Sequence, residues 1–237
     1  QGVGGGATDA GVILKQLIAA RTWGVFLDRP APDLIRRVHD SGLATILVSP
    51  VTEAAGMDVV MQDNYQGGML AAEHLLACGH RRIAWVGPTV SSGFSLGRLA
   101  GAYAALLRSG IELPADLRVD ASDGHVREKA LELLRRRDRP TGILALWSEQ
   151  AVAVAAAARE LGLAMGRDFD LVGWCVEELF ERDYRPGFPG GPGPPTVVWS
   201  GRAMANLGIS RMAERRANPG LESVRICVPV SLRMGHE

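Results

Sequence analysis

Five histidines and three cysteines carry much of the reactive chemistry of this sequence, and their spacing argues against a metal centre. His74 and Cys78 stand four residues apart, which puts both on one helix face, but they supply only two ligands where a structural zinc takes four. His39, His80, His125 and His236 are scattered, and no HExxH pair is present. A hydrolytic reading would combine Ser92 or Ser95 with His125 and Glu149, yet the GxSxG elbow that exposes such a serine is absent. A dinucleotide site needs a glycine loop between an early strand and its helix; GVGGGA at 2–7 has no strand before it, and Lys15 sits in VILKQL rather than in a phosphate-binding loop. Binding therefore outranks catalysis, and neither a cofactor nor a metal is expected.

In open parallel sheets, ligands gather where the carboxyl ends of strands meet helix starts. The segments that fall there are Asp63–Gln66, Pro88–Arg98, Asp120–His125, Ser148–Glu149 and Trp174–Glu178. They offer amides, hydroxyls, aromatic surface and one arginine, the composition of a neutral polar small-molecule site. Arg98, a permanent fork of five donors, could hold a ligand oxygen or carboxylate, or serve as a helix-start arginine paired across a lobe interface.

The elements that must position these residues alternate. Short apolar runs at 23–27, 44–49, 57–61, 82–87, 142–146, 169–174, 196–199 and 224–230 read as strands, and segments of helical period at 11–21, 32–41, 66–78, 97–109, 125–137, 149–161 and 201–216 lie among them. Runs apolar throughout, such as GILAL and FDLVG, suit central parallel strands. The fold class is α/β.

With 237 residues and 47% hydrophobic side chains, the chain can bury a sizeable core in one domain or two lobes. Its 26 acidic and 26 basic side chains cancel, which removes the charge argument for nucleic-acid binding by this segment. Cys78, Cys175 and Cys227 are widely spaced and odd in number, as expected of reduced thiols in an intracellular protein. No apolar run is of membrane-spanning length, and no signal segment opens the chain.

The stretch GHRR at 79–82 reads as a corner, with a C-capping glycine and basic groups beyond the negative end of a helix. At 184–195, YRPGFPGGPGPP has five Pro and four Gly in the ten residues from Pro186 onward, so it reads as a long irregular connection, either a pocket rim or a plain solvent loop.

The run VVMQDNYQGGMLAAEHLLACGHRRIAWVGP, followed by SSGFSLGRLAGAYAALLRSGI, resembles the effector-binding core of the lactose and galactose repressor family of bacterial transcription regulators. RPTGILALWSEQAVAVAAAARELGLAMGRDFDLVGW, PPTVVW and VPVSLR are similar to its later segments, so the likeness runs from about Asp9 to Arg233. The resemblance implies a periplasmic-binding-protein-like fold of type I, with two parallel-sheet, Rossmann-like lobes, crossover connections and an effector in the cleft. One lobe would hold residues 1–88 with 200–223 and the other 89–199 with 224–237. It also implies a cytoplasmic homodimer, not an enzyme and without a membrane partner. Operator DNA would be met through an N-terminal helix-turn-helix domain absent from this chain. The family's first strand and first helix also lack counterparts here.

Carried over motif by motif, the resemblance places Tyr65, Gln66, Ser92, Phe94, Arg98, Ser148, Glu149, Trp174 and Cys175 around the effector. Gln66 takes a sugar-contacting acidic position of the lactose repressor, and Leu96 stands where its sugar-binding arginine belongs. Arg98 matches the arginine of the purine repressor's Gly-Arg-Leu-Ala-Gly pattern. Ser148 and Glu149 replace an Asn-Asp pair, and Ala121 an aromatic. Trp174 and Cys175 replace the Tyr-Asp of a Gly-Tyr-Asp motif. Losing such charge-assisted acceptors, worth about 1.5–3 kcal/mol per hydrogen bond, points to an aromatic or poorly hydroxylated effector rather than a standard hexose. The alternatives are an exported solute-binding protein and, more remotely, an α/β enzyme.

Overall fold

The computed structural model describes residues 9–50, 56–88, 93–191 and 193–235. In chain order the elements are α1 (Ala10–Ala19), β1 (Val25–Asp28), α2 (Pro32–Asp40), β2 (Thr45–Val48), β3 (Asp58–Gln62), α3 (Asn64–Ala77) and β4 (Ile83–Val86). They continue with α4 (Gly93–Arg108), β5 (Arg118–Val119), α5 (Val126–Arg135), β6 (Gly142–Ala145), α6 (Ser148–Glu160) and β7 (Asp170–Val176). The last are β8 (Thr196–Trp199), α7 (Gly201–Ala217), β9 (Arg225–Val228) and β10 (Ser231–Arg233). Two α/β units result: the described residues up to Met61 with Ala203–Cys227, and Gln62–Arg202 with those from Val228 on.

The first unit carries a four-stranded sheet in the order β1-β2-β3-β9. Ile35, Leu47, Met57 and Val59 form its core, with Leu27 and Met61 packed against them. Asp58, 3% exposed, accepts from Arg211 Nε and Arg215 Nε at 2.9 Å each and from the Val224 amide at 3.0 Å. Burial alone would raise the Asp58 carboxyl; the hydrogen bonds from Arg215, Val224 and Arg211 outweigh it and hold the group below its usual value. This triad ties β3 to α7 and to the segment leading into β9. On its other flank β1 has no strand partner among the described residues. Trp23 and Phe26 beside that edge are 50% and 40% exposed, and α1 buries none of its residues.

The second unit carries a six-stranded sheet in the order β10-β8-β7-β6-β4-β5, parallel except for β10 against β8. Asp63 caps α3 by accepting from the Gln66 amide at 2.8 Å, so the helix begins two residues before the expected start at 66. Gly68 and Gly101 lie where α3 and α4 touch backbone to backbone. A methyl at Gly68 would strike the Arg98 carbonyl oxygen, and one at Gly101 the Tyr65 carbonyl oxygen. The run read as a single strand at 224–230 splits into β9 and β10 around Pro229, whose nitrogen has no proton to donate.

The GHRR corner is architectural. Arg81 Nη1 donates to the Leu76 and His80 carbonyls at 3.2 and 3.0 Å, and Arg82 Nη2 to Asp138 at 2.7 Å. His80 reaches Asp170 Oδ2 at 2.7 Å and Thr141 Oγ1 at 3.0 Å, joining the starts of β6 and β7.

The units differ from the expected lobes over 62–88, which belong to the second unit rather than the first. The reason is sheet hydrogen bonding: β4 pairs with β5 and β6, and α3 packs along α4. Residues 224–227 go to the first unit instead, because β9 lies beside β3.

Candidate functional site

The second unit places its polar and aromatic side chains where its parallel strands end. Arg98 lies on α4, 0% exposed, with Nε donating to Asn64 Oδ1 at 2.9 Å and Nη1 to the Leu146 carbonyl at 2.6 Å. Its guanidinium carbon is 3.9 Å from the Trp147 ring centre, 3.8 Å from that of Trp174 and 5.7 Å from that of Trp199. Trp147 follows β6, Trp174 lies in β7 and Trp199 ends β8, so three neighbouring strands deliver one aromatic each. Burial lowers the proton affinity of the guanidinium well below its usual value. The ring faces, with Asn64 and the Leu146 carbonyl as neutral acceptors, are what make a cation tolerable there.

Close packing continues below the cluster. A methyl at Gly67 would strike the Trp174 ring, and the void lined by Trp85, Leu146 and Trp174 measures about 10 Å³, room for at most a single water. Among the described residues, Asn64 Nδ2 and Trp174 Nε1 are buried donors without an acceptor. Buried polar groups normally find one, so each such donor calls for an explanation.

The expected site residues divide. Arg98 and Trp174 come together as described. Cys175, next along β7, alternates to the opposite face of the strand from Trp174 and donates to the Val176 carbonyl at 3.3 Å. Burial pushes its thiol up to about 11. Tyr65 is 49% exposed, and Gln66 accepts from the Val230 amide at 3.4 Å. Ser148 is half-buried and Glu149 exposed in the first turn of α6. Ser92 lies outside the described residues, as does the side chain of Phe94. Leu96 is 56% exposed and Ala121 buried.

Asn64, Trp147 and Trp199 were missed. Asn64 lies inside the singled-out segment Asp63–Gln66 without being picked as a site residue, Trp147 precedes the segment Ser148–Glu149 and Trp199 ends the strand beside β7, so the strand-end rule held the signal while the type of side chain did not. Glu178, in one of the candidate segments, is a helix cap: it accepts from Ser200 Oγ and from the Gly201 and Arg202 amides at 2.8, 2.9 and 3.0 Å. Burial opposes ionisation, but these bonds to the start of α7 prevail and hold its carboxyl at about 2.

Residues 72–233 match the family described as periplasmic binding protein-like domain, and the chain belongs to that family. It matches transcription regulators of the lactose and galactose repressor type. Identity is 28% over 211 residues with the maltose regulon regulatory protein MalI of Escherichia coli, covering 84% of this chain and 60% of that protein. With the lactose operon repressor of the same organism it is 27% over 163 residues, covering 68% and 45%. The chain thus spans less than two thirds of these curated relatives. Among solved structures, the transcriptional regulator CelR in its cellobiose complex superposes with a TM-score of 0.81 at 21% identity, covering 97% of this chain and 70% of that one. A regulator of the same family from Enterococcus faecium with bound ribose gives 0.75 at 23% identity, covering 93% and 81%. The fold is that of the type I periplasmic-binding-protein-like α/β proteins. The relatives are named as regulators and repressors, not as enzymes.

Proposed function

We propose that this chain is the small-molecule effector-binding and dimerisation part of a cytoplasmic transcription regulator, acting on operator DNA through a DNA-binding domain outside these 237 residues. The relatives supply the class. An effector that favours one arrangement of such a protein shifts its affinity for DNA by the same free energy, with either sign allowed.

The effector chemistry rests on one observation: Arg98 held between the faces of Trp147 and Trp174 at the strand ends, with Asn64 Nδ2 and Trp174 Nε1 as donors beside it. The cluster is closed as it stands, with Arg98 0% and Trp174 3% exposed, so a ligand would meet it at the half-buried Trp147 and offer acceptors to Asn64 Nδ2 and Trp174 Nε1. Such a surface favours a planar, acceptor-bearing, sparsely hydroxylated ligand over a pyranose, whose hydroxyls need acidic partners. Gln66, standing where the resemblance puts an acid, supports this. The two sugar-bound relatives carry cellobiose and ribose, so this chain departs from them in site chemistry.

Isothermal titration of this chain with benzoate, hypoxanthine and glucose tests the reading. Micromolar binding of a planar acceptor, lost in Arg98→Met, supports it. Tight glucose binding with none of the planar compounds refutes it.

A further inference from the structure

The Pro- and Gly-rich connection after β7 is not a plain solvent loop. It passes through a single π turn at Phe180–Tyr184 and a 3-10 turn at Arg185–Gly187, and it buries Phe180, Tyr184 and Phe188. The Tyr184 ring stacks on Phe180 at 5.4 Å and on Phe188, edge-on, at 4.9 Å. At Gly187 the backbone lies so close to α6 that a methyl would strike the Val152 side chain. Beyond Phe188 the connection lifts away, with Gly190 and Gly193 at φ of +85° and +79°, values that favour glycine.

That lift leaves a half-open cavity of about 450 Å³ between the connection, the second half of α6 and the turn that leads to β7. Its size falls in the range of small-molecule sites. Phe169 and Phe188, 3% and 5% exposed, are in its wall with Met165 and Ala158. Trp147 precedes the first residue of α6, whereas this cavity is lined by Ala155, Ala158 and Arg159, two to three turns further along the helix. It is separate from the Arg98 cluster.

Arg159 is the cation of this wall. It is exposed and has no ion pair among the described residues. Nearby carboxylates are engaged elsewhere, Glu160 by Arg127 and Arg135, and Asp168 by Arg167 at 2.7 Å. A cation with no ion pair among the described residues, lining the same cavity as two aromatic side chains, complements an anion joined to an apolar body.

We infer that this cavity is a second small-molecule site, for a compact amphiphile whose carboxylate meets Arg159 and whose apolar body packs on Phe169 and Phe188. It neither needs nor excludes an effector at Arg98.

4-Phenylbutyrate is a suitable probe, with 4-phenylbutyramide as its uncharged counterpart, titrated into the chain while backbone amide resonances are followed. The inference expects saturable shifts confined to residues around 155–169 and 187–193. It expects affinity for the carboxylate at least tenfold weaker in Arg159→Gln, an exposed change that leaves the core untouched, and equal, weak affinity for the amide in both proteins. Arg98→Met should leave the binding unchanged. Shifts centred on Trp147 and Trp174, equal affinity in Arg159→Gln, or no saturation at millimolar probe would each overturn it.

Discussion

Arg98 lies over the ring of Trp174, its guanidinium carbon 3.8 Å from the ring centre, and both side chains are almost fully buried. Removing Arg98 strands the buried Asn64 Oδ1 and Leu146 carbonyl acceptors, about 1–3 kcal/mol each, whereas deleting a buried tryptophan costs about 3–5 kcal/mol. Arg98→Met is therefore expected to lower the urea midpoint while losing effector binding. Trp174→Ala is expected to lower stability by about 3–5 kcal/mol. The packing account fails if Arg98→Met collapses and Trp174→Ala is silent.

The contact of α3 with α4 leaves no space for a side chain at Gly101. Gly101→Ala must push the helices apart, which costs about 1–3 kcal/mol by overpacking. It would also move Asn64 and Arg98, which sit on those two helices. A lowered melting temperature with weaker effector binding is expected. Gly191→Ala, where no atom lies within 4 Å, serves as the control and should melt like the parent.

Asp58 predicts an acid-sensitive step in the first unit. Its folded pKa lies below the ordinary 3.8, so its ion pairs contribute fully above that pH and are lost as pH falls through the lower folded value. Asp58→Ala leaves Arg211 and Arg215 without their shared carboxylate, and should cost about 3–5 kcal/mol near neutral pH. Urea titrations of parent and variant from pH 7 downward should converge below about pH 3.8. A constant gap across the whole range would show that the carboxylate charge is not what stabilises.

Cysteine reactivity should separate the three thiols. Cys78 and Cys227 are exposed, while burial pushes Cys175 up to about 11. Peptide mapping after maleimide treatment at pH 8 should find adducts on Cys78 and Cys227, and on Cys175 only once the chain is denatured. Modification of native Cys175 at a comparable rate would contradict its burial.

The alternation of apolar runs with helical segments was legible because burial on both faces demands near-continuous hydrophobicity, as in GILAL and TVVW. The partition into units was not. Whether RIAWVG joins the first sheet or the second depends on which backbone it hydrogen-bonds to, and that is a long-range property absent from its composition. At the site, Arg98 stood out through its chemistry and Trp174 through its motif. Trp147 and Trp199 escaped because a tryptophan ending a strand reads equally as core. Only pairing in neighbouring positions of one sheet converts such residues into an aromatic clamp. Cys175 shows the reverse: adjacency in sequence suggested shared function, and the two-residue period of a strand separated it from Trp174.

Among the described residues, the flank of β1 away from β2 has no strand beside it. An exposed strand edge offers donors and acceptors to any extended chain that approaches, and cross-strand aggregation starts from such templates. Asp28 and the adjoining Arg29, which pair at 3.4 Å, put charge at one end of this edge, and Arg216 lies over the Trp23 ring at the other, so Phe26, 40% exposed, is the apolar surface between them. Self-association of the isolated chain would accordingly start at Phe26, and at high concentration thermal unfolding would depend on scan rate, so stability comparisons belong in dilute solution.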